Sequence, residues 1–256
     1  MIATYTRDGR VGRITISRPE RRNALNHEAL DELHDGVRRT AEDGVRVLVL
    51  TGAADHFCSG ADLKELEDLA FTRALRAMLD DLAALPIPTV AAVSGACMGL
   101  GMQLALSCDL RLATSDARFA VPVAKLGLMV DHWTVQRLAL LAGHSTARWM
   151  VMTARPLTAE RAYEVGLVHE LVPVAAGGPG ASVLAAADEL AAQIATLAPL
   201  TLAGTKRGLD LLERDAAEID PDGDYLEAFT AAWSSDDLVE GRRAFGERRP
   251  AEFEGR

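Results

Sequence analysis

Two β-branched runs in this chain each empty into a small-residue, glycine-rich turn followed by a helix-compatible segment. Val45-Arg-Val-Leu-Val-Leu-Thr51 leads to Phe57-Cys-Ser-Gly-Ala-Asp-Leu63. Thr89-Val-Ala-Ala-Val93 leads to Ser94-Gly-Ala-Cys-Met-Gly-Leu-Gly101 and then to the helical Met102-Gln-Leu-Ala-Leu-Ser107. Strands that give way to helices in this manner point to α/β architecture. A further strand is read at Val11-Gly-Arg-Ile-Thr-Ile-Ser17, where the pattern alternates with period two.

Helical periods fill the intervals. Asn26 can cap a helix running through Leu30, Leu33 and Val37, and Phe71 to Ala84 carries Leu75, Met78, Leu79 and Leu82 at helical spacing. After Arg111 the strands shorten and helices dominate until Ala175-Ala-Gly-Gly-Pro-Gly180, read as a flexible, turn-rich break. Beyond it, Leu184 to Leu197, Leu200 to Leu212, Tyr225 to Trp233 and Leu238 to Phe245 read as amphipathic helices.

Composition narrows the functional classes. With 256 residues, 49% hydrophobic and 25% charged, the chain can build one large domain, or one with an appendage. Arg7, Arg10, Arg13 and Arg18 interrupt any apolar run near the start, and no stretch approaches the roughly 18 apolar residues of a membrane span. A cytoplasmic protein without a membrane partner is the expectation. A net charge of −10 argues against a nucleic-acid surface but allows a local basic cluster for a small anionic ligand. Cys58, Cys97 and Cys108 are too few and too irregular for a zinc site or disulfide framework, so they are read as reduced and buried, with no metal expected.

Backbone N–H groups at the start of a helix lack partners and sit at the positive end of its dipole, so each glycine-rich turn suits negative charge. If the two turns face each other, one N–H from each could grip a single carbonyl oxygen as it becomes an enolate, each donor contributing roughly a hundred- to a thousandfold in rate. The competing reading is that glycine merely permits tight strand-to-helix packing. A dinucleotide site fits less well, because Gly99-Leu100-Gly101-Met102-Gln103-Leu104 lacks the third glycine of that fingerprint. The chain also has no Gly-x-Ser-x-Gly nucleophile elbow.

Taken together, Phe57-Cys-Ser-Gly-Ala-Asp-Leu63 and Val93-Ser-Gly-Ala-Cys-Met-Gly-Leu-Gly-Met-Gln-Leu-Ala-Leu-Ser-Cys-Asp109 resemble the two signature segments of the crotonase (enoyl-CoA hydratase/isomerase) superfamily. The resemblance runs from Arg18-Pro-Glu-Arg-Arg-Asn-Ala-Leu25 through Ala117-Arg-Phe-Ala-Val-Pro122 and Leu157-Thr-Ala-Glu-Arg-Ala-Tyr-Glu-Val-Gly-Leu-Val168 to Glu240-Gly-Arg-Arg-Ala-Phe245, nearly the whole chain. It implies a spiral of ββα units over residues 1–196 that binds a coenzyme A thioester as substrate or ligand, with no other cofactor. It also implies a helical trimerisation region over 197–256, hence a homotrimer or dimer of trimers. Carried over by position, the oxyanion donors are the N–H groups of Ala61 and Leu100. Ser59, Gly60 and Asp62 lie along the ligand path, although Asp62 also reads as structural. Arg21, Arg22 and Ala24 fall at the nucleotide end, and Phe245 and Arg248 match positions contributed by a neighbouring subunit.

The resemblance also exposes a departure. A hydratase of this family uses two glutamates, and those positions here hold Gln103 and Val123, similar to a subgroup that lacks both acids. Gln can orient a water but exchanges no proton at neutral pH, and Val does neither. Positioned acid–base groups contribute about a hundred- to ten-thousandfold each, so efficient hydration is not expected. Asp131 aligns with a position where some relatives place a catalytic aspartate for proton transfer or covalent attack, yet it can equally be the N-cap of the helix opening at Trp133-Thr-Val-Gln-Arg-Leu138. Trp133 is a candidate for the acyl tunnel or for core packing, His132 reads as a bystander and His56 as a surface residue. Two functions follow from the resemblance: an atypical enoyl-CoA isomerase, hydratase or related lyase of fatty acid metabolism dependent on Asp131, or a non-catalytic acyl-CoA carrier or sensor serving partner lipid enzymes. A trimeric scaffold with its turns blocked by Met98 or Met102 is a third reading.

Overall fold

In the computed structural model, residues 1–63, 69–214, 230–231 and 233–252 are described. The chain opens with a hairpin of β1 (Ala3–Asp8) and β2 (Val11–Ile16), paired antiparallel from Ala3–Ile16 to Asp8–Val11. β1 is absent from the strands read in the sequence, although the two-residue loop Gly9-Arg10 between the strands is of the Gly-X hairpin kind and Gly9 has φ +55. β2 then pairs in parallel with β3 (Val47–Gly52), and β4 (Thr89–Val93), β6 (Leu110–Thr114) and β9 (Glu170–Val172) extend the sheet in the order β1-β2-β3-β4-β6-β9.

A second, three-stranded sheet contains β5 (Ala96–Met98), β7 (Arg118–Ala120) and β8 (Leu157–Thr158). The chain alternates between the sheets. It passes from β4 to β5 and then into helix α3 (Leu100–Ser107), while β6 passes to β7. The same step from β3 is shortened to a single bridge, Cys58–Cys97, before helix α2 (Leu69–Ala83). These turns form the expected spiral of ββα units.

Both faces of the larger sheet are covered, which explains why β3 is buried along its entire length. Leu48 and Leu50 pack with Leu30, Leu33 and Val37 of α1 (His27–Glu42) and with Met78, Leu79 and Leu82 of α2. Val47, Val49, Val90 and Ala92 face α7 (Gly178–Ile194), where small residues Ala187 and Ala191 permit close approach. Asn26 caps α1 as anticipated, its side chain accepting from Ala29 N–H at 3.0 Å. The Ala175–Gly180 break is shorter than expected, because α7 begins within it and places Pro179 in its first turn, where the missing N–H costs nothing.

The remaining helices among the described residues are α4 (His132–Ala142), α5 (His144–Thr153), α6 (Ala159–Glu164), α8 (Pro199–Arg214) and α9 (Asp236–Glu247). The proposed Tyr225–Trp233 helix lies largely outside the described residues. α9 packs directly on the 3-10 turn Val123–Leu126: a Cβ on Gly241 would fall 2.3 Å from the Leu126 carbonyl oxygen. Behind α3, the buried Arg111 donates to the carbonyls of Ala105, Cys108, Asp109 and Leu167. A cation at the negative end of a helix is favourable, and burial lowers its pKa to about 10. Among the described residues no single helix is long and apolar enough to cross a membrane.

Candidate functional site

The two glycine-rich turns do meet. Cys58 bridges Cys97 through Cys58 N–H to Ala96 O at 2.9 Å and Met98 N–H to Cys58 O at 3.0 Å. Gly101, in the first turn of α3, sits against the same Cys58 carbonyl so closely that a Cβ there would lie 2.1 Å from the oxygen. Gly60 approaches the other turn with φ +112, and a Cβ on it would lie 3.1 Å from Met98 O. Glycine is required at both positions for the turns to touch.

This juxtaposition leaves two backbone donors available. Ala61 is the centre of a parallel bridge to Leu25 whose bonds are Leu25 N–H to Gly60 O, 2.9 Å, and Asp62 N–H to Leu25 O, 2.8 Å. In such a bridge the flanking residues do the bonding, so the N–H of Ala61 points to the opposite edge. Leu100 opens α3, where an N–H has no partner within the helix. Neither N–H donates to another backbone group among the described residues, and both residues line one cavity of about 570 Å³. Met98 and Met102 do not line it; Met102 is buried in the core.

Of the remaining sequence candidates, Ser59, Gly60, Gln103, Val123 and Asp131 also line the cavity. Arg21 and Arg22 are exposed and do not line it, but their loop is stitched to its edge: Ser59 Oγ donates to Arg21 O at 3.1 Å and Ser59 N–H to Arg22 O at 3.0 Å. Ala24 is buried in that loop, with its carbonyl accepting from Arg18. Asp62 sits in the framework beside the turn. It is buried, lies 3.2 Å from the Arg18 guanidinium, and does not line the cavity. Phe245 and Arg248, at the end of α9, are exposed and away from the lining.

The wall that would carry the chemistry is wired together. Gln103 Nε2 donates to Thr134 Oγ1 at 2.7 Å, and the Thr134 hydroxyl donates in turn to Asp131 Oδ1 at 2.8 Å. Asp131 Oδ1 also accepts from Thr134 N–H at 2.8 Å, making Asp131 the N-cap of α4. Its Oδ2 lies 3.6 Å from Nη1 of Arg76. Trp133 is outside the cavity lining and packs beneath Arg76, whose Cζ lies 4.2 Å from the ring centroid. Val123, also in the lining, has a side chain with no polar atom.

Several residues here were not legible beforehand. Arg76, with Thr72, Arg73 and Asp80, forms the cavity-facing side of α2, and Trp233 closes the cavity from the C-terminal region while donating to Met129 O at 3.2 Å. The polar spacing of Thr72, Arg73, Arg76 and Asp80 along one helical face suits bulk water as well as a cavity, so the sequence carries no signal that singles out the α2 group. His56 is half-buried: its Nδ1 accepts from Ala96 N–H at 3.2 Å, and Gly95 packs against its ring. It thus holds one turn against the other. Cys58 and Cys97 lie directly beneath the turns, and burial pushes the Cys58 thiol up to about 12 and Cys97 upward as well.

A β-β-α spiral with two backbone donors converging on a largely apolar cavity is the architecture of the crotonase superfamily. The chain belongs to the enoyl-CoA hydratase/isomerase family, whose sequence profile matches residues 6–256. It is 39% identical over 243 residues to the protein described as probable enoyl-CoA hydratase echA6 of Mycobacterium tuberculosis (strain CDC 1551 / Oshkosh), covering 94% of this chain and 95% of that one. It is 34% identical over 260 residues to 2,3-dehydroadipyl-CoA hydratase of Escherichia coli (strain K12), covering 98% of each. Among solved structures, carnitinyl-CoA hydratase from Mycobacterium avium superposes with a TM-score of 0.84 at 33% identity, covering 100% of this chain and 99% of that one.

Proposed function

We propose that this protein binds an acyl-CoA thioester without hydrating it efficiently, acting in fatty acid metabolism as an acyl-CoA carrier or sensor for partner lipid enzymes. The thioester carbonyl oxygen would accept from the N–H groups of Ala61 and Leu100. The acyl chain would run along the apolar cavity, and the CoA phosphates toward Arg21 and Arg22, where guanidinium suits a phosphate oxygen pair. In a homotrimer or dimer of trimers, the exposed Phe245 and Arg248 would meet the nucleotide of a neighbouring subunit.

The observation that carries this reading is the state of the side chains that line the cavity with the donors. Gln103 is an amide engaged with Thr134, Val123 has no polar atom, and Asp131 Oδ1 is occupied twice as a helix cap. Binding a thioester needs the two N–H groups, whereas adding water across a double bond also needs positioned acid and base. A second reading, an Asp131-dependent isomerase or related lyase, is favoured by one fact: Asp131 lines the cavity, and its Oδ2 takes no part in the cap.

Mass-spectrometric product analysis separates the two. Near-stoichiometric protein is incubated with saturated, 2-enoyl, 3-enoyl and aryl CoA esters, beside Asp131→Asn. Tight binding with no product from any ester supports the carrier. Turnover of one class that disappears in Asp131→Asn establishes the enzyme instead.

A further inference from the structure

The wall of the cavity contributed by α2 carries a cation in unusual surroundings. Arg73 and Asp80 are exposed, whereas Arg76 reaches inward over Trp133. Its Nη2 lies 2.7 Å from Asp80 Oδ1 and its Nη1 3.6 Å from Asp131 Oδ2. The first contact is off the N–H direction and the second is beyond hydrogen-bond reach. Consequently Nε, Nη1 and Nη2 are all shielded from solvent, and none makes a hydrogen bond among the described residues.

A guanidinium carries five N–H donors and no acceptor. Leaving them unfilled beside apolar neighbours such as Phe71, Leu75 and Val130 is costly, and buried polar groups in folded proteins are as a rule satisfied. An oxygen supplied by a ligand would meet that need. Charge indicates which kind. Among the described residues of the cavity wall, Arg73 and Arg76 are balanced by Asp80 and Asp131, so a ligand carboxylate would set a third anion beside Asp131. A hydroxyl or oxo oxygen fills the donors and adds no charge.

We infer that Arg76 is a specificity-determining residue that selects acyl groups bearing an uncharged hydroxyl or oxo oxygen in addition to the thioester carbonyl. This rests on the cavity being a CoA-thioester site. On entry, the ligand oxygen draws the guanidinium off Asp80 and becomes its hydrogen-bond acceptor, while Trp133 continues to support its face. The remainder of the cavity stays apolar around the hydrocarbon.

The test is calorimetric titration of the full chain with decanoyl-CoA, its hydroxy and oxo derivatives substituted at successive carbons, sebacoyl-CoA and CoA alone. In the wild type, at least one hydroxy or oxo ester is expected to bind roughly tenfold or more tightly than decanoyl-CoA, the effect of one hydrogen bond to a charged donor. Arg76→Met is expected to lower the affinity for that ester toward the affinity for decanoyl-CoA, and Arg76→Lys to retain part of the preference. Equal binding of all esters by the wild type overturns the inference while leaving the CoA-thioester reading intact. So does a preference for sebacoyl-CoA over every neutral oxygenated ester, or a preference that survives in Arg76→Met. Failure to bind any ester overturns both. The wild-type comparison stands regardless of how the variants fold.

Discussion

Gln103 Nε2 donates to Thr134 Oγ1 at 2.7 Å, so the amide at the position of a family glutamate is held by a hydroxyl whose own proton is given to Asp131. A glutamate in its place would compete with Asp131 for the single Thr134 proton, and Val123 would still offer no second acid. We expect wild-type protein to hydrate a 2-enoyl-CoA far below the about 1–10³ s⁻¹ typical of enzymes. Gln103→Glu alone should stay within about tenfold of wild type, and Gln103→Glu with Val123→Glu should exceed both, because the two acids act as a unit. Loss of enoyl-thioester absorbance measures all three, and hydratase-level turnover by the wild type would refute the expectation.

Asp131 caps α4 through an oxygen that asparagine can reproduce. Asp131→Asn is therefore expected to change stability by no more than about 0.5 kcal/mol, since its 3.6 Å contact with the shielded Arg76 guanidinium is long and the Asp131 side chain is itself 31% exposed to screening water. Asp131→Ala removes the cap and should cost about 1 kcal/mol. Urea denaturation of the two variants reads the difference. Equal destabilisation would mean that the charge facing Arg76, rather than the cap, is what Asp131 supplies.

The two turns were legible because glycine and small residues in them have a backbone meaning that survives without coordinates: Gly60 and Gly101 are where one turn touches the other. Gln103 lies in the second of these segments, and Val123 directly follows the later Ala117–Pro122 segment. Arg76 was not legible, because the polar side of an amphipathic helix reads alike whether it faces bulk water or a cavity. Only the packing of the Val123–Leu126 turn, Met129 and Trp233 opposite α2 decides which. Asp62 and Trp133 lie outside the lining for a related reason. Adjacency to a functional segment places a residue near a site, but the direction of its side chain depends on a partner far away in sequence, Arg18 for Asp62 and Arg76 for Trp133. β1 was overlooked because its outer residues are polar, as suits an edge strand.

The cysteines make a chemical prediction. Cys58 and Cys108 are fully buried, and burial pushes each thiol up to about 12. The thiolate is the reactive form, so at about pH 8 almost none is present in the folded protein. Iodoacetamide at that pH should leave all three cysteines unmodified in the native protein and alkylate all three in denaturant, as read by intact mass. Modification of Cys58 in the native state would show that the turn above it opens.

Gly101 offers the sharpest test of the oxyanion assignment, because steric and conformational effects can be separated by a control. At Gly44, φ is +65 and nothing lies within 4 Å of the point a Cβ would occupy. Gly44→Ala should therefore cost about 1–2 kcal/mol for the left-handed backbone and leave ligand binding unchanged. At Gly101 the added methyl would sit 2.1 Å from Cys58 O, so the two turns must separate. Gly101→Ala should cost about 1–3 kcal/mol as an overpacked contact. It should also pull the Leu100 N–H away from the Ala61 N–H, weakening binding of an acyl-CoA more than that of CoA itself, which has no thioester carbonyl. Denaturation and titration of both variants check this. If Gly101→Ala loses stability yet binds the thioester as well as Gly44→Ala does, the donors at Ala61 and Leu100 do not share one oxygen.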